Sequence, residues 1–422
     1  MTLPEVESAP TNWSGAGSLT RRIVAFAGVP LVALLAPLIF LPVLARLAGE
    51  GAWVAIAVGQ SVGGFAALVA GLGYSTLAPP VVAVSSPAAR ARFLATSIHV
   101  RLPVWLVASL LAVLLAGVVS PSTHRSEGVL MAFAMSLAGL APTWHWIGVG
   151  KALPILWTEV LPRVAATLGA TAVLLVGGSP VWYPVMLAVA MVVGPAIVYA
   201  RHAGSDLKRI DRTAVKLVLE RHPPAVIAET AAGAYNALAV TLVAAAAPLG
   251  QSARFVSGDK AYRIGQYSVS ALGNALQGWV VEELEAGLAR RLRTVIALHV
   301  GLGTCGLVGF GLMGAWLTRA LFGADVSITS ATAWGFGVAI LGIALGTACG
   351  RIGLITIGAR KAFMVCVVAA SAVGAASLLV GASLWGMVGA AWALGLTELL
   401  SGTAQGMVLA VLWRRRKVMT PA

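Results

Sequence analysis

The chain has 422 residues, of which 59% are hydrophobic and 10% charged, and its formal net charge is +14. Soluble domains are about 45–50% apolar and about 25% charged, so this composition excludes a soluble globular protein and leaves no room for an extramembrane catalytic domain. The Lys and Arg residues are scattered over short segments and do not form the basic stripe of a nucleic-acid surface. The composition therefore predicts a membrane protein that is not an enzyme and has no nucleic-acid partner.

The first twenty residues are polar and rich in Pro, Gly and Ser, and they lack a basic segment typical of a signal peptide. We expect residues 1–20 to form a disordered cytoplasmic tail. Beyond it, twelve stretches are long enough to cross a bilayer, which takes about 20 mostly apolar residues. These predicted spans are 23–45, 54–80, 102–119, 128–149, 153–177, 180–200, 224–249, 259–281, 294–317, 329–349, 362–383 and 385–412.

The longest polar interval, 201–222, separates the sixth predicted span from the seventh. It predicts an all-α polytopic membrane protein with two six-helix bundles, 21–200 and 223–413, followed by a basic cytoplasmic tail at 414–422. Apolar residues at helical spacing place one hydrophobic face on the 201–222 linker. We expect this linker to lie along the inner membrane surface.

Lys and Arg are concentrated in alternate loops, as they are in the cytoplasmic loops of membrane proteins. The basic set of loops includes Arg101 and Arg351, whereas the opposite set has only Arg46, Arg125, Arg254 and Arg319. This asymmetry predicts that both termini are cytoplasmic.

Ionisable residues inside predicted spans indicate candidate functional sites, because a charge in lipid is costly and faces a cavity or a partner. Glu159 and Arg163 lie four residues apart in the fifth span. This spacing allows a local ion pair on one helix face. A structural pair and a role in lining the substrate cavity are both consistent with this pattern.

Lys260 and Arg263 lie three residues apart near the predicted outer end of the eighth span. Such a cationic face suits a diphosphate, which Arg binds with two parallel hydrogen bonds. The alternative is that both side chains extend to the outer interface with Asp259 as their partner.

Glu229 and Glu398 are isolated acids among Ala, Gly and Leu in the seventh and twelfth spans. One hypothesis assigns them to proton or cation coupling. The alternative is a hydrogen bond between helices, made by a protonated acid. The candidate partners for that hydrogen bond are Asn236, Asn274 and Thr397.

Several patterns resemble cofactor motifs without their context. Residues 301–306 match GxGxxG, but they lie in an apolar span and have no strand before them. Small residues at this spacing are typical of close helix contacts in membranes. The histidines show no metal-ligand spacing, so we predict no metal, no cofactor and no catalytic residue.

Four segments resemble those of the polysaccharide transporter branch of the multidrug/oligosaccharidyl-lipid/polysaccharide (MOP) exporter superfamily, the Wzx-like flippases. They are RLAGEG with the span that follows it from 52, DKAYRIGQ from 259, LFGAD from 321 and WGMVGAAWALGLTELL from 385. The resemblance extends over nearly the whole chain. It implies a MOP/MATE-like fold in a bacterial cytoplasmic membrane.

The resemblance also implies a function: moving an undecaprenyl-diphosphate-linked oligosaccharide or cell-wall glycopolymer precursor across the membrane by alternating access. Arg263 would then project into a central cationic cavity, and membrane lipids and glycan-assembly enzymes are the expected partners. A lipid II flippase is disfavoured because the first span carries Arg only at its ends. A drug or cation antiporter remains the other alternative, whereas a glycan polymerase would have a large outer loop.

Overall fold

The computed structural model describes residues 39–208, 223–281 and 287–419. Within these ranges the secondary structure is helical and contains no strand. The predicted tail at 1–20, most of the first span and most of the linker at 201–222 lie outside the described residues. The main helices are α1 (Gly49–Gly71), α2 (Tyr74–Val84), α3 (Pro87–Val119), α4 (Arg125–Ser136), α5 (Thr143–Val149), α6 (Leu161–Leu175), α7 (Trp182–His202), α8 (Pro223–Ala246), α9 (Leu249–Val281), α10 (Leu288–Phe322), α11 (Ser330–Leu345) and α12 (Arg360–Met419).

Seven helices in the described ranges are long and apolar enough to cross a membrane. The second to twelfth predicted spans all overlap helical residues. Fewer helices meet this criterion than there are predicted spans. The first predicted span lies mostly outside the described residues, and of the seventh only Gly233–Ala246 is counted, as a shorter apolar helix. The fourth is divided between α4 and α5, α9 does not meet the criterion, and α12 contains both the eleventh and the twelfth. The chain separates into two compact units, Met1–Thr230 and Ala231–Ala422.

Two helix breaks shape the N-terminal unit. The predicted span at 54–80 is interrupted between α1 and α2, where Leu72 and Gly73 both have a left-handed backbone, with φ of 47° and 69°. The predicted span at 128–149 is interrupted between α4 and α5 by a 3₁₀ turn at Leu137–Leu140 and by Pro142. Proline lacks a backbone N–H and so cannot continue the helical bonding pattern.

A π-helical turn, Leu156–Val160, precedes α6 in the fifth predicted span. Prolines flank this turn at positions 154 and 162. The π-helix is rare and occurs mostly as single turns inside α-helices, frequently at functional sites. The turn carries Glu159, the acid of the predicted Glu159–Arg163 pair.

The C-terminal unit contains a helical hairpin. Helix α12 reverses at Gly386, whose φ of 58° and ψ of −140° suit only glycine. Beyond the turn the two arms pack closely, because a Cβ on Gly381 would lie 2.6 Å from the carbonyl oxygen of Gly389. The side chain of Gln251 accepts the amide hydrogen of Met387 at 3.2 Å. The hairpin accounts for the eleventh and twelfth predicted spans.

The GxGxxG segment at 301–306 lies within α10, as predicted. A Cβ on Gly303 would lie 2.8 Å from the Cβ of Ala344, and one on Gly306 would lie 2.5 Å from Ile340. These glycines therefore permit close contact between α10 and α11, which confirms the helix-packing interpretation.

Candidate functional site

Arg101 is the most deeply buried cationic side chain described in the N-terminal unit. It was predicted to lie in a basic loop, but α3 begins at Pro87 and carries Arg101 in its interior, where the residue is 1% exposed. Its guanidinium donates to the backbone oxygens of Gly139 and Ala141 at 2.9 and 3.2 Å. The loop prediction for Arg101 is therefore wrong.

The partners of Arg101 belong to the break between α4 and α5. Helix termini leave carbonyl groups without an intrahelical partner, and a buried carbonyl without a hydrogen bond is costly. Arg101 satisfies two of these carbonyls, and the hydroxyl of Tyr199 donates to a third, Leu140, at 2.9 Å. Arg101 in turn donates to the Tyr199 hydroxyl. Together, Arg101 and Tyr199 stabilise the broken helix.

Glu159 lies on the π-helical turn Leu156–Val160, and its side chain is almost fully buried. It accepts a 2.6 Å hydrogen bond from the hydroxyl of Thr143, the first residue of α5. Nη2 of Arg163 lies 3.7 Å from the same carboxylate oxygen. The predicted local pair between Glu159 and Arg163 is therefore present, and Thr143 is a tighter partner that the sequence did not indicate.

A pocket of about 350 Å³ opens where the two helix breaks of the N-terminal unit meet. Residues on both sides of the α1–α2 break and of the α4–α5 break line it, together with Arg101. Arg101 also stacks on two of the lining rings, at 5.1 Å from the centre of Tyr74 and 5.6 Å from that of Trp144. A buried cation and two aromatic rings thus form one wall of this pocket.

In the C-terminal unit, Arg263 forms an ion pair with Asp259 within α9. Its Nε and Nη2 lie 2.8 and 3.1 Å from the two carboxylate oxygens. The Asp259 side chain is 2% exposed, whereas the Arg263 side chain is 32% exposed. Asp259 is the partner that the alternative interpretation of this segment named, and its carboxylate offsets part of the charge of Arg263.

Lys260 and Arg263 lie farther inside a helix than the predicted span at 259–281 placed them. Helix α9 begins at Leu249, before the start of that predicted span. Lys260 is half-buried. Arg254, predicted in an outer loop, also lies in α9, where its Nε contacts the backbone oxygen of Asp325 at 3.3 Å.

Glu398 is linked to the Arg263 pair through Asn236 of α8. The Asn236 side chain donates to Oε1 of Glu398 at 3.3 Å, and the Asn236 backbone oxygen accepts from Arg263 at 3.4 Å. The hydrogen bond between helices, one of the two interpretations of Glu398, is therefore present. The side chain of Glu229, the other candidate acid, lies outside the described residues.

A cavity of about 230 Å³ lies within the C-terminal unit and is lined by Glu398, Asn236 and further polar residues. Arg351 also lines this cavity, although the sequence predicted it in an inner loop. It belongs to the π-helical segment Gly346–Leu354 and donates to the Asn274 side chain at 2.6 Å. The loop prediction for Arg351 is wrong because the tenth span continues through this segment.

The sequence analysis did not identify Arg101, Thr143, Tyr199 and Arg351 as site residues. It assigned both arginines to loops, because each is close to the end of an apolar window. In the part of the chain that the structure describes, no group of three or more His, Cys, Asp or Glu side chains is arranged to hold a metal ion.

The helices, their breaks and the two units define a multi-pass membrane protein. The fold is similar to that of an inward-facing multidrug resistance MATE family transporter of the MOP superfamily, with a TM-score of 0.71 and 12% identity over 93% of this chain and 99% of that chain. The lipid II flippase MurJ, in an inward closed conformation, gives a TM-score of 0.69 and 12% identity, covering 93% and 87%.

A third similar structure, a MATE protein in complex with MaL6, gives a TM-score of 0.56 and 12% identity, covering 94% of this chain and 96% of that chain. No protein-family model and no curated protein matches the sequence. At 12% identity the similarity shows the fold alone. The fold class predicted from the sequence, an all-α membrane protein of MOP/MATE type, is confirmed.

Proposed function

We propose that this protein is a flippase of a bacterial cytoplasmic membrane, which moves an undecaprenyl-diphosphate-linked oligosaccharide or a cell-wall glycopolymer precursor between leaflets by alternating access. The proposal is supported by a fold similar to that of MurJ and by the partly exposed Arg263 on α9, whose guanidinium binds the buried Asp259 carboxylate with two hydrogen bonds. Substrate binding and release are its only chemistry, so no catalytic residue or cofactor is proposed.

Arg263 is the proposed contact for the substrate diphosphate, with Lys260 beside it. A phosphate group accepts two parallel hydrogen bonds from a guanidinium, as a carboxylate does. The diphosphate can therefore replace Asp259 on Arg263 with the same geometry. The exposure of about one third of the Arg263 side chain leaves it accessible to such a ligand. Glu159 and Arg163 are proposed to stabilise the wall of the N-terminal unit.

Surface glycan in a strain lacking this gene tests the proposal. Complementation with the natural sequence should restore surface glycan, whereas Arg263→Ala should lower it at least tenfold while the protein still inserts in the membrane. Arg254→Ala is the matched control, because Arg254 lies on the same helix and its hydrogen bond is to the backbone oxygen of Asp325 at an exposed position. Full surface glycan with Arg263→Ala would contradict the proposal.

A second candidate is export of drugs or cations, which is supported by the similarity to the MATE transporter and by two acids inside helices, the buried Asp259 and the half-buried Glu398. An exporter of cationic drugs would depend on these acids more than on Arg263. Drug susceptibility of the deletion strain separates the two functions. Higher susceptibility with unchanged surface glycan would favour the exporter, and the reverse would favour the flippase.

A further inference from the structure

We infer that the pocket between the two helix breaks of the N-terminal unit is a second anion site, which binds a phosphate or diphosphate group. This goes beyond the proposed function, which assigns the phosphate contacts to Lys260 and Arg263 of the other unit. Only the identification of the occupant as a lipid headgroup rests on the proposed function.

The first argument is the charge of Arg101. The residue is 1% exposed, and every hydrogen-bond partner that the structure gives it is a backbone carbonyl or a hydroxyl. Within residues 39–208, no carboxylate lies close enough to Arg101 to form an ion pair with it. A buried charge without a counter-ion is costly. Glu159 acts on Arg101 without forming an ion pair with it, and an anion in the pocket that Arg101 lines would supply a counter-charge in direct contact.

The second argument is a buried donor without an acceptor. Trp144 also lines the pocket, is 3% exposed, and its Nε1–H has no hydrogen-bond partner among the described residues. Buried polar groups in proteins are nearly always bonded. A ligand oxygen in the pocket would accept this hydrogen bond.

The third argument is the direction of α2. This helix begins at Tyr74, on the pocket wall, and Ser75 in its first turn also lines the pocket. The first amides of a helix have no intrahelical acceptor, and the helix dipole places partial positive charge there. Discontinuous helices of membrane transporters bind anionic groups in this way.

Glu159, the acid that interacts electrostatically with Arg101, does not oppose this assignment. It does not line the pocket, and it accepts a hydrogen bond from the hydroxyl of Thr143, which does. Arg163 pairs with it and offsets its charge. The pocket volume of about 350 Å³ also falls within the range of about 300–1,000 Å³ that is typical of small-molecule sites.

The test is direct binding to the purified full-length protein in nanodiscs, by calorimetry at fixed ionic strength. The probes are geranyl diphosphate, inorganic pyrophosphate and uncharged geraniol. We expect both diphosphates to bind with a 1:1 component that geraniol lacks and that persists in Arg263→Ala, where the proposed diphosphate contact of the other unit is removed. Equal affinity of the two diphosphates would identify a free phosphate as the occupant, and much tighter binding of geranyl diphosphate would identify a lipid headgroup. Failure of both diphosphates to bind would overturn the inference.

Two variants place the binding in this pocket. Trp144→Phe removes the donor and keeps the ring, and the loss of one charge-assisted hydrogen bond should raise Kd about tenfold. Trp146→Phe is the control, since Trp146 is also buried with an unbonded Nε1 but does not line the pocket. Equal Kd for Trp144→Phe and Trp146→Phe would contradict the inference.

Filling the pocket gives an independent result if Trp144→Phe fails to fold. Gly64 lines the pocket, and a Cβ built on it meets no atom within 4 Å. Gly64→Leu should therefore raise Kd more than tenfold, whereas Gly309→Leu, at an equally open position in α10, should leave it unchanged. Unchanged Kd for Gly64→Leu would also overturn the inference. Binding is measured without transport, so failure of the flippase proposal would appear only in the surface-glycan assay.

Discussion

The two units hold an arginine inside a helix in different ways. Arg101 of the N-terminal unit is 1% exposed and bonded only to neutral groups, most of them backbone carbonyls. Arg263 of the C-terminal unit is about one third exposed and bonded to both oxygens of Asp259. A carbonyl at a helix break has no other donor, so Arg101 is fixed in place. A carboxylate presents the same pair of acceptor oxygens as a phosphate, which is why we propose Arg263 as the diphosphate contact.

The largest expected effect is that of Arg101→Ala. The change leaves the Gly139 and Ala141 carbonyls unbonded in the interior. Each unbonded buried carbonyl costs about 1–3 kcal/mol, so we expect a loss of about 3–5 kcal/mol in the free energy of unfolding, seen as a much lower thermal midpoint of the purified protein. The thermal midpoint of Arg101→Lys should fall between those of the natural protein and of Arg101→Ala, because an ammonium cannot reproduce the planar arrangement of donors. An unchanged midpoint for Arg101→Ala would remove the contrast between the units.

Removing the ion pair of the C-terminal unit should have a smaller effect. Arg263→Ala leaves the buried Asp259 carboxylate without its cation, and we expect a loss of about 2–3 kcal/mol in the free energy of unfolding. The double variant Asp259→Asn with Arg263→Ala removes both charges and should recover at least about 1 kcal/mol of that loss. Surface glycan should remain low in both variants. Recovery of surface glycan in the double variant would show that Arg263 serves only to balance Asp259.

Thr143→Val tests how much the hydrogen bond from Thr143 to Glu159 stabilises the protein. Glu159 loses its 2.6 Å hydrogen bond and keeps only the longer contact with Arg163. The expected loss is about 1–2 kcal/mol in the free energy of unfolding, measured by thermal or denaturant unfolding. Thr171→Val is the control, because the Thr171 hydroxyl donates to Thr167 of its own helix and should be nearly neutral. Equal losses for Thr143→Val and Thr171→Val would assign the effect to the removal of a threonine hydroxyl in general and not to the hydrogen bond with Glu159.

The smallest effect on stability is expected for Glu398→Gln. An amide of the same shape still accepts from Asn236, so the change should stay within about 0.5 kcal/mol. If Glu398 couples an ion, however, the pH dependence of surface-glycan export should disappear in this variant. Unchanged export with unchanged pH dependence would leave the hydrogen bond between α8 and α12 as the role of Glu398.

The sequence predicted the helical membrane class, all the described spans and the local spacing of the Glu159–Arg163 pair. These features depend on contiguous residues: a run of apolar side chains and two charges one turn apart. The sequence failed at positions where a helix breaks or extends past its apolar window. Arg101, Arg254 and Arg351 were assigned to loops for that reason, although all three lie in helical segments.

By itself, the sequence determined that this chain is built from apolar helices, because long apolar segments in lipid satisfy their backbone hydrogen bonds by forming helices. Only the tertiary structure decided which charges are fixed and which are exchangeable. The hydrogen bonds of Arg101 to the α4–α5 break and of Asn236 to Glu398 join residues far apart in the chain. The sequence does not give distances between residues that are far apart in the chain. The partner of each buried charge, and the chemistry of each site, is therefore determined only by the folded structure.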